Sequence, residues 1–519
     1  VVAADKDSKM STTTVVNTES PVLVSAWAQY PSVYEINTWV WLTDLSRKYG
    51  NTVNLSSVPS AEWDTIADYG FDAVWFMGVW ERSPAGISIA NRNDGLLHDF
   101  LRALPDFHTE DNVGSPYCVR RYVVDRELGG PQGLASARRA LAERGMKLVL
   151  DFVPNHVAPD HPWVLEHPEY FIRGSSEDLR NDSASFVEVR GTVFARGRDP
   201  YFPAWPDVLQ LNAFEPGLRR AVIELLSDIA EQSDGVRCDM AMLFLNSIFE
   251  RTWGKRAGLR PETEYWYDVI SRTKQTFPNF LFIAEAYWDL EWELQQQGFD
   301  FCYDKRLYDR IEHANAESIR PHLGADLSYQ GKLLRFIENH DEPRAANIFS
   351  PDKERAAALT SATLPGMRLF HEGQFEGRKV KLPVFLGRRP NEPTDQGLQE
   401  FYAGLLEVIH QPVFRGGQWK LCECRGWPDN ASFENLLAWS WQHGDERYLI
   451  AINLSETSLQ ATVRVPWADI GGVRWNLVDR LSGATYQREG DEILRGGLYV
   501  ELGPWNSHVF QWVSASPAR

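Results

Sequence analysis

Cysteine is scarce. The 519-residue chain has five, Cys118, Cys238, Cys302, Cys422 and Cys424. So few, and an odd number, exclude a disulfide framework and point to a reducing compartment. A cytoplasmic location is therefore expected, with secretion left open. Cys422 and Cys424 form a lone CxC with no second pair to complete a zinc site, and read as ordinary strand residues. Basic residues are also short, 53 against 71 acidic, for a net charge of −18. This argues against nucleic acid and anionic membranes as partners, since both need a basic footprint. No apolar run reaches membrane-spanning length, and there is no internal repeat or low-complexity tract.

What the chain has in quantity is length and aromatic side chains. With 20 Trp, 18 Tyr and 26 Phe, most must fill a large core. A minority could line a groove, because sugar rings present apolar C–H faces to flat side chains. From about residue 31, apolar or aromatic runs alternate with amphipathic stretches. The runs are SVYEINTWVWL, FDAVWFMGVW, KLVLDFVPNH, DGVRCDMA, FLFIAEAYW, DFCYDKRLY, LLRFIENHD and GMRLFHEG. Between them lie helix-like segments such as PQGLASARRALAERG and EPGLRRAVIELLSDIAEQ, the second with a Glu215-Pro216 start. Eight strands alternating with helices predict a closed (β/α)8 TIM barrel, an α/β fold. The barrel is expected over 21–411, with a small inserted domain at 157–212 after the third strand. From 412 to 519 the period changes to two and predicts an antiparallel β-sandwich. Residues 1–20 are expected to be a disordered tail or an artificial extension, with Met10 the natural start. The connection from Glu81 to Gly130 is too long for a simple loop; it reads as a lid or rim, or as a plain excursion packed on the barrel.

Charged residues collect at strand ends. The third run ends with Asp151, Asn155 and His156, and the fourth carries Arg237 and Asp239. Glu285 closes the fifth, and Glu338, Asn339, His340 and Asp341 close the seventh. One charge ending a buried strand is ordinarily a structural pair or cap. Four such clusters converge on one mouth of a barrel, the place where barrel active sites sit. Two carboxylates there suit glycoside hydrolysis, one ionised to attack and the other protonated to release the leaving oxygen. Arg237, two residues from Asp239, is expected to lower its pKa. Glu285, among Ala284, Ala286 and Tyr287, is expected to be raised by desolvation and to serve as the acid. Asp341 could bind sugar hydroxyls, and the histidines could donate hydrogen bonds to them. The rival is a divalent-metal site built from Asp151, His156, Asp239, Glu285, His340 and Asp341. Against it, no HxH follows the first strand, and Arg237 would repel a cation.

These segments, in this order, resemble the short motifs of the α-amylase family, glycoside hydrolase family thirteen. DFVPNH, GVRCDMA, FIAEAYW and FIENHDEPR resemble its four regions. GSPYCVRRYVVDRELGG resembles the segment after the second strand, and VLQLN resembles the close of the inserted domain. The resemblance covers about residues 31–411, and the trailing β domain fits the family's C-terminal domain. It implies a retaining mechanism with Asp239 as nucleophile, Glu285 as general acid/base and Asp341 as transition-state stabiliser. It also implies that Tyr117, Asp151, His156, Arg237 and His340 hold the sugar. The chain departs from the family pattern in several places. Met242 and Leu243 stand where a Lys-His pair is common, Gln210 where a calcium-ligating Asp is common, and Arg121 where an Asp is common. Asn155 remains, but the family's structural calcium is doubtful, no metal or cofactor is expected, and the acceptor side should be more apolar than in starch-degrading amylases. The reading is of a retaining α-glycoside hydrolase acting on α-1,4-linked glucans or maltooligosaccharides. The alternatives are a transglycosylase or isomerase of the same fold, and a non-catalytic carbohydrate-binding protein.

Overall fold

The computed structural model describes residues 27–313 and 315–515. The expectations for residues 1–20 lie outside these. Strand β1, Ser32–Asn37, is buried throughout. The sequence reads as if it ran on through Leu42, but it stops at Asn37. That side chain accepts a hydrogen bond from the Val40 amide (3.4 Å) and opens a helix, Thr38–Tyr49. Trp41, Leu42 and Leu45 lie on its buried face, so helical spacing wins over the strand preference of Trp and Val.

The remaining barrel strands are β2 Ala73–Met77, β3 Lys147–Phe152, β4 Gly235–Cys238, β5 Leu281–Ala284, β6 Phe301–Tyr303, β7 Leu333–Arg335 and β8 Met367–His371. Each pairs in parallel with the next, and β8 pairs with β1 to close the barrel. Val33, Trp75, Val149, Ile283, Leu334 and Leu369 belong to a core cluster made mostly of barrel-strand residues, consistent with a packed barrel interior rather than a pore. The predicted strand DFCYDKRLY is cut short after Tyr303. Asp304 caps the Leu307 amide and turns the chain into the helix Lys305–His313.

Closure of the barrel is also tied from below. Arg368, at the start of β8, is 1% exposed and donates to the carbonyls of Ala362 (2.5 Å), Tyr30 (2.9 Å) and Phe414 (2.7 Å). Past the helix Gln396–Ile409, a six-stranded sheet faces a three-stranded one around their own core, which includes Leu436, Leu449, Val463 and Phe510. Trp441 of the larger sheet donates from its indole to the Thr363 carbonyl (2.7 Å).

Two excursions rise from the carboxyl ends of strands. After β3, His156–Val157 pairs antiparallel with Leu209–Gln210, and a hairpin of Phe186–Val189 and Thr192–Ala195 lies between them. After β2, Trp80–Arg82 pairs with Val119–Val124, with the helices Pro84–Ala90 and Asp94–Ala103 inserted. Phe100, Ala103 and Leu104 pack on Leu386 and Phe385 from the segment after β8. The Val113 amide donates to the Phe385 carbonyl (2.9 Å), locking the two together. The 81–130 connection is therefore packed against another connection at the same mouth. Among the described residues, no helix is long and apolar enough to cross a membrane.

Candidate active site

Arg237 organises the barrel mouth. It is fully buried on β4, and its guanidinium lies within 6 Å of the ring centroids of Trp75, Tyr117 and Tyr303. Nη1 lies 2.7 Å from Asp239 and 3.6 Å from Asp151. Nη2 lies 2.8 Å from Glu285 and 3.8 Å from Asp341. One cation thus faces carboxylates delivered by β3, β4, β5 and the segment after β7.

Asp239 follows the last residue of β4 and is 6% exposed. Burial raises its pKa, and Arg237 opposes that rise without overcoming it. The expected net lowering is therefore corrected: removing water from around the carboxylate outweighs its ion pair. Glu285 is raised further, to about 7, by burial and by the negative charge of Asp239 and Asp341. Its surroundings are less apolar than the sequence suggests. Oε2 accepts from the Met240 amide (2.5 Å) and Oε1 from the Tyr287 hydroxyl (2.9 Å). The first contact exists because Met240 takes a left-handed backbone, φ 43°, which turns its N–H toward Glu285.

The third carboxylate belongs to a chain of hydrogen bonds. His340 Nε2 lies 2.9 Å from Asp341 and 2.6 Å from the Tyr117 hydroxyl, and Nδ1 lies 2.5 Å from Glu35 on β1. Burial works against a charged imidazole, but Asp341 and Glu35 on either side prevail and raise the His340 pKa well above its ordinary value. In turn His340 lowers Asp341. His156 behaves oppositely: burial without a carboxylate partner drops it to about 3, so it is neutral. Asp151 is raised by burial to about 6, accepts from the Gly78 amide (3.1 Å), and supports Arg237 from beneath.

A cavity of about 310 Å3 opens over these groups, lined by Tyr117, His156, Asp239, Glu285 and Asp341 among others. Asp151, Arg237 and His340 do not line it and act from behind. Trp205, Met240, Tyr287 and Phe385 also line the walls, with Ser115, Asp207 and Val208, and sequence reasoning did not single them out as site residues, nor Glu35. Glu35 had a visible signal, a lone acid inside the apolar run VYEIN. Trp205 and Phe385 sit in long connections whose path no local pattern reveals. Met242 and Leu243 are 0% and 3% exposed and pack into the core rather than the cavity.

The resemblance raises the question of a calcium site at Asn155. Gln210 is 0% exposed, and its amide nitrogen lies 3.0 Å from the Asn155 carbonyl, 2.9 Å from Asn155 Oδ1 and 2.9 Å from the Leu211 carbonyl. An N–H donor thus stands among oxygens that a cation would require, and this donor set does not fit one. Among the described residues, no three His, Cys, Asp or Glu side chains are grouped as a metal would need.

The closed barrel with its trailing antiparallel sheets is the fold of solved α-amylases. No family model matches the chain. Its curated relatives include the α-amylase MalA of Haloarcula japonica, 24% identical over 410 residues, covering 76% of this chain and 50% of that one. The α-1,4-glucan:maltose-1-phosphate maltosyltransferase of Picrophilus torridus is 21% identical over 383 residues, covering 69% and 54%. The chain spans about half the length of these relatives. Among solved structures, the maltogenic α-amylase AmyB of Thermotoga neapolitana superimposes with a TM-score of 0.65 at 18% identity, over 93% of this chain and 99% of that one. The chain is thus similar in sequence to α-amylases and glucan maltosyltransferases and shares the fold of solved α-amylases.

Proposed function

We propose that the protein is a retaining α-glycoside hydrolase that cleaves α-1,4-glucosidic bonds in maltooligosaccharides or glucans. The observation that carries this reading is the division of labour at Arg237. Two carboxylates sit on one guanidinium, and the one raised to about 7 can hold a proton near neutral pH. One guanidinium holds both carboxylates, Asp239 at 2.7 Å and Glu285 at 2.8 Å, and so keeps the two close together. That favours attack by Asp239 itself over base-activated water.

In the first step Asp239 forms a bond to the anomeric carbon as the glycosidic C–O bond breaks, and Glu285 gives its proton to the leaving oxygen. In the second, Glu285 takes a proton from water, whose oxygen displaces Asp239 and restores the starting state. Asp341, oriented from behind by the charged His340, holds the ring hydroxyls while positive charge develops at the anomeric carbon. Tyr117 and Trp205 offer flat faces to the sugar. Asp151 and Arg237 act on position and charge rather than by contact. Gln210 takes the place of a cation at the base of the inserted segment, so the fold needs no calcium there.

A second reading is transfer, in which a sugar hydroxyl replaces the water. The apolar lining of Met240, Tyr287 and Phe385 favours it, because such walls bind a sugar acceptor and disfavour free water. Incubation with maltotriose separates the two readings. Hydrolysis gives a net rise in reducing ends. Longer or isomerised products with no such rise would replace hydrolysis with transfer.

A further inference from the structure

The connection after β8 crosses the mouth as a strap. Phe385 lines the catalytic cavity, while its neighbours Leu382 and Val384 line a second and much smaller one, of about 30 Å3. Across from them the same divide falls between Asp341, which lines the first cavity, and His340, which lines the second. The smaller space has room for about two waters and not for a sugar ring. The strap is fixed on three sides. Lys381 donates to the Asp341 carbonyl after β7. The Gly387 amide donates to the Asp111 carbonyl (2.8 Å), and Arg388 pairs with the Asp111 carboxylate (2.5 Å), both in the 81–130 excursion. Arg389, 8% exposed, pairs with Asp44 of the first helix (2.5 Å). Between these ties Leu386 is fully buried, and the Phe385 ring meets that of Phe100 at 5.7 Å. Moving the strap aside would expose Leu386 and part all of these pairs at once, so it is a wall and not a lid.

Where the wall stands decides what it blocks. In the reaction proposed above, Glu285 gives its proton to the leaving oxygen, so the released part of the chain lies on the side of Glu285, Met240 and Tyr287. The ring that Asp239 attacks lies over Tyr117 and Asp341, and it is the ring the protein keeps. A further sugar attached to the far end of that ring would have to pass beyond His340 and Asp341. There the strap and the small cavity leave no place for it. We propose that the cleft is a one-ended pocket, which accepts a single glucosyl unit at the non-reducing end of an α-glucan while the rest of the chain leads out past Glu285. The protein is then exo-acting. Each turnover breaks the outermost glycosidic C–O bond, adds one water across it and releases one glucose of α configuration, leaving the chain one unit shorter. The position of the wall follows from the contacts of the strap, and the assignment of its two sides rests on the roles given above to Asp239 and Glu285.

Maltopentaose labelled at its reducing end, either free or carrying a 4,6-O-ethylidene group on its non-reducing ring, tests this. From the free chain the first products should be glucose and labelled maltotetraose. The blocked chain should be cleaved roughly 100-fold more slowly, because the added group meets a fixed wall. Leu382→Ala/Val384→Ala widens the space behind Asp341. It should raise the rate on the blocked chain about tenfold and leave kcat/KM for a small aryl α-glucoside within about twofold. Three results would each overturn the proposal and leave hydrolysis intact: internal cleavage of the blocked chain at the rate of the free one, maltose as the first product of the free chain, or a double variant no better than the wild type on the blocked chain. Binding separates this reading from the catalytic one. Calorimetry of the full-length Asp239→Asn protein should show blocked maltotriose binding at least about tenfold more weakly than free maltotriose, and equal affinities overturn the pocket. If that difference is found while the unaltered protein cleaves neither sugar, the closed end stands and the catalytic reading falls.

Discussion

His340 and Glu35 are joined by a 2.5 Å contact between Nδ1 and a carboxylate that is 0% exposed, and the other ring nitrogen of His340 faces Asp341. The imidazole is held between two anions and is charged. Removing either anion should discharge it over part of the neutral range.

Glu35→Gln tests that relationship. It keeps the side-chain shape and removes one anion, so the His340 pKa should fall and kcat/KM should drop about tenfold or more, with the larger loss at higher pH. Histidine side-chain NMR titration reads the shift directly. An unmoved His340 resonance together with an unmoved pH profile would show that Glu35 is only a packing residue.

The pH profile of kcat/KM should be a bell. Glu285 must be protonated to act, and with its pKa at about 7 the rate is lost as pH rises through that value. Asp239 must be ionised, and since burial raises it, the acid limb should lie above the ordinary aspartate value of about 3.9. Asp239→Asn should abolish turnover while maltotriose still binds. Glu285→Gln should remove the alkaline limb and cost roughly 100- to 10,000-fold. A wild-type rate that stays level through pH 8.5 would rule out Glu285 as the acid.

Calcium should not affect stability of the natural chain, because an amide nitrogen fills the space among the Asn155 and Leu211 oxygens. Melting in calcium and in chelator should coincide. Gln210→Asp replaces that donor with an anion. It should be destabilised in chelator and regain several degrees of Tm on adding millimolar calcium. A chelator-sensitive wild type would count against the reading of Gln210.

Glu354 gives a stability prediction. It is 3% exposed on the helix Pro351–Thr363, and burial, with Glu338 nearby, lifts its pKa to about 8. A carboxyl whose folded pKa exceeds its unfolded value favours the fold most below about 4.5, and that contribution is lost as pH rises toward 8. Glu354→Gln should therefore gain on the wild type with increasing pH, by about 2–4 kcal/mol at pH 8. Parallel denaturation curves at pH 5 and pH 8 measure it.

The barrel was legible because its strands are short apolar runs punctuated by charge, and the charges themselves marked which ends face the mouth. Asp239, Glu285 and Asp341 stood out for that reason. Glu35 did not, since a single acid inside VYEIN looks like any tolerated polar residue until β1 is placed near the segment after β7. The helix at Thr38 was hidden by Trp and Val, which suit either structure, and only the Asn37 cap decides it. The net pKa of Asp239 depends on how deeply it is buried, which spacing along a chain does not record. Gln210 was visible as a substitution, but that its nitrogen occupies the centre of an oxygen cluster is a three-dimensional fact.

Arg368 reaches three carbonyls that belong to separate parts of the chain, before β1 at Tyr30, before β8 at Ala362, and at Phe414 beyond the last barrel helix. Burial drops its pKa to about 9, so these carbonyls are what keep its N–H groups satisfied. Removing the chain beyond the helix Gln396–Ile409 would take away the Phe414 carbonyl and, with the C-terminal sheets, the Trp441 indole bonded to Thr363. The two halves of the molecule should consequently melt in one calorimetric transition. A protein cut after the helix Gln396–Ile409 should then be recovered as aggregate instead of as a working barrel.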